Sequence, residues 1–147
     1  MIRIEVTEHA FNPWELVAEF QQQPTFIASQ SGANVIFVGT MRNFNEGDTV
    51  EAMCLEHYPA MTQKQLADLV NAALARWSLN HVLLVHRVGE LRPSDPIVLV
   101  AVWSAHRQAS FEACREIMET LKHQAPFWKK ETLKDGTTRW VEKNTAG

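Results

Sequence analysis

Seven consecutive apolar residues, Ile97-Val98-Leu99-Val100-Ala101-Val102-Trp103, empty into Ser104-Ala105-His106-Arg107, and a helix-like segment follows. The run reads as a strand. The segment after it reads as a helix because Phe111, Cys114, Ile117, Met118 and Leu121 recur at steps of three and four. Such a stripe needs a sheet to face. Lys122, four residues beyond Met118, lies on the stripe's flank. Ala125-Pro126 breaks the helix, and Phe127-Trp128-Lys129-Lys130-Glu131 resumes as extended chain. A cationic pair at the helix start and lysines at and beyond its end are therefore expected to face one cleft, where they can hold an anion or move a proton.

The remaining segments supply the sheet. Ile2, Ile4 and Val6 alternate with polar residues as in a half-buried strand. Asn12-Pro13 offers an N-cap followed by proline at the first helical position, with Trp14, Val17, Ala18 and Phe20 as the apolar face. Gln21 to Gly32 is turn-rich around Phe26-Ile27-Ala28. Ala33–Met41 and Val50–Tyr58 are strand candidates flanking the turn residues Asn43 to Asp48, so the two are expected to pair as a long-looped hairpin. Pro59 opens a helix to about Trp77, with Met61, Leu66, Leu69, Val70, Ala73 and Leu74 at helical spacing. Val82–Val88 is another strand, joined to Ile97–Trp103 by a loop holding Gly89, Pro93 and Pro96. Asp135-Gly136 marks a turn before a last strand, Thr138–Glu142, and a frayed end. Interspersed strands and helices with antiparallel hairpins give an α+β class: a mixed, largely antiparallel sheet with packed helices.

At 147 residues the chain reads as one domain, 1–147, able to bury roughly two-thirds of its unfolded surface. A net charge of −3 argues against a nucleic-acid binder, so any basic site must be local. The N-terminus lacks the apolar core of a signal peptide, and no apolar run approaches the roughly 20 residues that span a bilayer. Cys54 and Cys114, in apolar segments 60 positions apart, read as small buried thiols rather than a disulfide framework. A cytoplasmic protein is the expectation. The six histidines (9, 57, 81, 86, 106 and 123) form no HxxxH pair, and no CxxC, phosphate loop, dinucleotide fingerprint or GxSxG elbow is present.

The cations remain as candidates. His106-Arg107 at a helix N-terminus, where backbone N–H groups and the dipole already favour anions, makes a phosphate or carboxylate seat. A capping histidine and a solvated arginine fit the same residues. Arg42 ends another strand, as exposed arginines often do. Lys122 suits a helix's last turn and Lys129-Lys130 suits an edge strand, so structure alone accounts for them; a catalytic role requires one lysine desolvated among other cations. Trp77, Trp103, Trp128 and Trp140 read as core or interface anchors, and Cys114, on the apolar stripe, is not a nucleophile candidate.

The segments GANVIFVGTMRNFNEGDTV, LEHYPAMTQKQL, HRVGEL, SAHRQASFEACREIMETLK and APFWKKE, in this order from about Gly32 to Val141, closely resemble the large, catalytic subunit of molybdopterin synthase, the MoaE family. The resemblance implies an α/β hammerhead fold with a β-hairpin subdomain. It implies a sulfurtransferase that converts cyclic pyranopterin monophosphate to the molybdopterin dithiolene. The sulfur comes from the thiocarboxylated Gly-Gly tail of a small ubiquitin-like subunit, within a heterotetramer built on a homodimer. Neither metal, ATP nor other cofactor is implied for this step, and neither nucleic acid nor membrane is a partner. Position by position, the family's active-site lysines fall on Lys122 in METLKHQAP and Lys129 in PFWKKE. Its substrate-binding basic residues fall on Arg42 in GTMRN and on His106 and Arg107 in SAHRQ; Phe37 and Met118 match pocket walls. Lys130 keeps a cation where members of the family have arginine, and counts with the substrate-binding set. The alternative is a non-catalytic pterin-phosphate-binding or scaffold module on the same fold.

Overall fold

The computed structural model describes residues 1–124 and 127–142. In chain order the elements are β1 (Ile2–Thr7), α1 (Pro13–Gln21), a 3₁₀ turn (Ala28–Gln30), β2 (Ala33–Thr40), β3 (Phe44–Asn45), β4 (Asp48–His57), α2 (Pro59–Arg76), β5 (His81–Arg87), β6 (Gly89–Leu91), β7 (Pro96–Ser104), α3 (Arg107–Gln124), β8 (Phe127–Leu133) and β9 (Thr138–Val141). They form two sheets. The first has the order β1-β5-β7-β2; the second runs β3-β4-β8-β9, with β6 also on β4. Only β1 and β5 pair in parallel among the described strands. The fold is α+β, mixed and largely antiparallel.

The first sheet is covered on both faces, and its central strands show it residue by residue. Val82 and Leu84 of β5, with Val98, Val100 and Val102 of β7, pack against Leu66, Leu69, Val70 and Ala73 of α2 and Cys114, Ile117, Met118 and Leu121 of α3. Their odd-parity neighbours Leu83, Val85, Leu99, Ala101 and Trp103 turn to the other side, onto Val17 and Phe20 of α1 and onto Phe26. Alternation along an apolar run thus feeds two cores, each fully buried aliphatic side chain contributing about 1.5–3 kcal/mol. Asn12 caps α1, its Oδ1 accepting from the Trp14 and Glu15 amides at 3.0 and 3.3 Å. A third core, Met41, Val50, Met53, Leu55 and Leu91, belongs to the second sheet.

Several expectations need correction. β2 and β4 do not form a hairpin: β2 pairs with β7, and β4 with β3, β6 and β8. The hairpin instead joins β3 to β4 through Glu46 and Gly47, both at positive φ (51° and 81°), the backbone a two-residue connection demands. Within the expected loop between β5 and β7, β6 adds to β4. Trp14, Met61 and Phe111 are exposed rather than core-facing, and Ala18 is exposed too. Each sits at the rim of its helix's apolar stripe, where Val17, Leu66 and Cys114 already fill the contact. Cys54 is half-buried, not buried. Of the four tryptophans read as anchors, Trp103 is core, Trp77 packs on the α2–α3 core, and Trp128 and Trp140 are exposed. Ala125-Pro126 and residues 143–147 lie outside the described residues, and with them the predicted proline break and frayed end.

Candidate active site

The site forms where the C-terminal end of α3 meets the second sheet. On β2, Phe37 and Gly39 share the parity of Val35, which packs on the α3 side. On α3, Met118 and Lys122 are one turn apart. On β8, Phe127, Lys129 and Glu131 alternate inward, opposite His57, Leu55 and Met53 of β4. Together they enclose a cavity of about 570 Å³ lined by Phe37, Gly39, His86, Met118, Lys122, Lys129, Trp128 and Trp140, among others. A smaller cavity of about 130 Å³ adjoins it and shares Lys122 and Lys129; Arg42, Phe44, Asn45 and Glu131 complete its lining. Phe37, Met118 and Lys122 also border a third, of about 530 Å³, along β2 and the Phe111–Arg115 side of α3.

Charge is arranged unevenly here. Burial pushes the Lys129 ammonium below the usual lysine range, and the neighbouring charges of Lys122 and Arg42 push the same way; only Glu131 opposes them. Glu131 is itself buried, 6% exposed. Its carboxylate accepts from Asn45 Nδ2 at 3.2 Å on both oxygens and from Arg139 Nε at 3.0 Å. Arg139 is held in turn by Asp48 at 2.8 Å and the Asn45 carbonyl at 3.0 Å. Arg42 lies over the Phe44 ring, 4.8 Å from its centroid. A half-buried lysine with a depressed pKa beside two further cations can bind an anion, neutralise developing negative charge and give up a proton more readily than an ordinary lysine.

Five of the eight predicted site residues thus converge: Arg42, Phe37, Met118, Lys122 and Lys129. Lys130 does not. It borders none of the three cavities, and its ammonium lies 5.5 Å from the Trp140 ring centroid. His106 and Arg107 do not join within one chain either. Arg107 opens α3 and Lys122 is 15 residues on, a separation of about 22 Å along the helix axis. Both are exposed and border none of the three cavities. A single cleft holding both ends of α3 is therefore corrected to a pocket at its C-terminal end. Sequence reasoning missed His86, Gly39 and Glu131. For His86 a signal existed: it continues the even-numbered row Val82-Leu84 that an apolar neighbour would have continued.

Among the described residues, no group of His, Cys, Asp and Glu is placed to hold a metal ion, and no helix is long and apolar enough to cross a membrane. The family model described as MoaE protein matches residues 6–124. A relative from Ralstonia nicotianae, the molybdopterin synthase catalytic subunit, is 56% identical over 113 residues; the alignment covers 77% of this chain and 64% of that protein, a little under two-thirds. Two solved structures are also similar. The molybdopterin biosynthesis MoaE protein from Burkholderia ambifaria has a TM-score of 0.80 at 41% identity, covering 100% of this chain and 93% of that one. Molybdopterin synthase from Staphylococcus aureus has a TM-score of 0.82 at 31% identity, covering 97% and 99%. The match reaches from β1 through α3, the frame on which the pocket is built, and the chain belongs to the MoaE family.

Proposed function

We propose that this chain is the catalytic subunit of a molybdopterin synthase: a sulfurtransferase that takes sulfur from the C-terminal thiocarboxylate of a small ubiquitin-like subunit and installs it in cyclic pyranopterin monophosphate as the dithiolene. The convergence of Lys122 and Lys129 in one apolar-walled cavity, with Lys129 desolvated, is the observation that carries this reading. A thiocarboxylate is an anion, and two lysines at the cavity are its counter-charge. As its sulfur attacks the pterin side chain, negative charge develops and protons move. Lys122, which borders all three cavities, is the principal acid, base and charge stabiliser, and Lys129 assists as a ready proton donor. Phe37 and Met118 form apolar walls, and Arg42 reaches the cyclic phosphate from the smaller cavity.

His106 and Arg107 retain the anion-seat role in a homodimer, where a second copy brings the start of its own α3 to this pocket. The exposed Phe37 and Phe111 beside the outer strand β2 supply apolar surface for that contact. One experiment tests the function: the chain is mixed with thiocarboxylated partner and cyclic pyranopterin monophosphate, and the product is analysed by mass spectrometry. Dithiolene formation is expected, and Lys122→Ala should abolish it. Binding of the pterin phosphate without sulfur incorporation would leave the scaffold alternative instead.

A further inference from the structure

One polar group of the cavity has no part in the reaction as described above. His86 ends the inward row of β5 and is 6% exposed, yet it borders the larger cavity together with Lys122 and Lys129. Its ring lies flat on Phe127, with centroids 4.0 Å apart and planes at 12°. Nδ1 is 2.7 Å from the Arg87 carbonyl oxygen. A carbonyl can only accept, so Nδ1 carries the proton and Nε2 a lone pair. Burial, aided by the charges of Lys129, His57 and Lys122 and opposed by the Arg87 bond, holds the imidazole pKa down to about 4, which keeps the ring neutral near pH 7. With one ring edge on Arg87 and one face on Phe127, the Nε2 edge is the one that remains for the cavity His86 borders.

We infer that Nε2 of His86 receives the backbone N–H of the last residue of the partner's C-terminal tail, and so sets the terminal carboxyl group against Lys122 and Lys129. A neutral acceptor next to two cations is complementary to a ligand in which an N–H donor lies beside an anion. A C-terminal residue has that form, its amide nitrogen two bonds from the carboxyl carbon. Leu55, Val98, Leu121 and Phe127 are among the apolar walls of the cavity His86 borders, and such walls suit a glycine. Gly39 presses the opposite strand close: a Cβ there would lie 2.9 Å from Val98 Cγ1. His86 is in these terms a binding residue for the tail, and the assignment rests on the tail-binding reading of the pocket.

The test uses the full chain and three synthetic peptides: one ending in Gly-Gly with a free carboxylate, the same peptide with sarcosine as last residue, and its C-terminal amide. Binding is followed by the fluorescence of Trp128 and Trp140, which border the cavity. Removing the N–H by N-methylation should weaken binding to the wild type about fivefold, the size of one net hydrogen bond. His86→Phe keeps the stack on Phe127 but has no acceptor, so its N-methyl penalty should fall about fivefold below that of the wild type; His86→Gln, whose Oε1 can stand in for Nε2, should discriminate again. The difference between variants removes any penalty the methyl group causes by bulk alone. Equal N-methyl penalties in wild type and His86→Phe overturn the inference, and an unweakened sarcosine peptide on the wild type overturns it without any variant. If the amide binds as tightly as the carboxylate, the tail reading of the whole pocket fails, and this inference with it.

Discussion

Replacing Glu131 with glutamine removes the one negative charge that supports Lys129 and leaves the shape of the side chain intact. The carboxylate is 6% exposed and accepts from two groups, Asn45 Nδ2 and Arg139 Nε. Glutamine has one acceptor oxygen: placed at Oε1 it can still accept from both donors, but the Asn45 bond to Oε2 is lost and the Arg139 bond loses its negative partner. Arg139 still holds Asp48 at 2.8 Å and the Asn45 carbonyl at 3.0 Å, which limits the damage to one charge-assisted hydrogen bond rather than an orphaned cation. That places the cost at about 2 kcal/mol, within the ~1.5–3 kcal/mol range for bonds to charged groups. For a chain of this size the melting temperature should fall by about 4–8 °C. Thermal scanning at neutral pH measures it. A second readout follows the lysine: Glu131 alone raises the Lys129 pKa against burial, Lys122 and Arg42, so Glu131→Gln should move that titration further down, as seen by NMR of isotopically methylated lysines. A melting point changed by less than about 1 °C, or a Lys129 titration that moves up, would refute the reasoning.

Three further outcomes are expected. Because the folded-state pKa of Lys129 is lowered, the unfolded chain binds more protons between the folded value and the ordinary one, so stability from this group is lowest at neutral pH and rises with pH through that window. Lys129→Met should therefore melt higher than wild type near pH 7 while losing activity, and the two melting curves should converge at alkaline pH. Leu84→Ala, in a fully buried position between the first sheet and the α2–α3 layer, should destabilise by about 2–5 kcal/mol in a denaturant titration without altering which residues line the pocket. If the anion seat comes from a second copy, Arg107→Ala and Lys122→Ala chains, each inactive alone, should regain about a quarter of wild-type activity when refolded together, since half the random dimers carry one intact site. No recovery would place the seat elsewhere.

Local pattern made much of this fold legible. The strand carrying Ile2, Ile4 and Val6, the Asn12-Pro13 cap and the α3 helix each depend on a few neighbouring residues and appear where expected, with Ile2 and Phe111 left exposed. Pairing was less legible because it is decided at a distance. Nothing between Ala33 and His57 shows that β2 is matched to β7 and β4 to β8; both partners lie more than 50 residues on. Among site residues, Lys122 was readable as a flank position, and Lys129 follows from β8 alternation. Lys130, expected from the family's arginine position, borders none of the three cavities of the chain, since adjacent strand residues face opposite sides. Within one chain His106-Arg107 and the lysines stay apart on simple length, since an 18-residue helix holds its ends apart. His86 was passed over as one histidine among six, because only the folded arrangement shows a buried imidazole opening on a cavity.

The long-range pairing of the two sheets has a kinetic consequence. β1 must wait for β5, 80 positions later by register (Ile2 with Val82), and β4 must wait for β8, where Val50 meets Leu133. Contacts so distant in sequence close large loops before they are rewarded, which slows folding and leaves strand edges open in the meantime. Lys122 on α3 is followed at once by β8 and β9, which carry Trp128, Lys129 and Trp140, so the lining of the cavity is completed by the last described strands of the chain. The pocket is therefore among the last features to assemble, since a chain lacking β8 and β9 lacks Trp128, Lys129 and Trp140 from its lining.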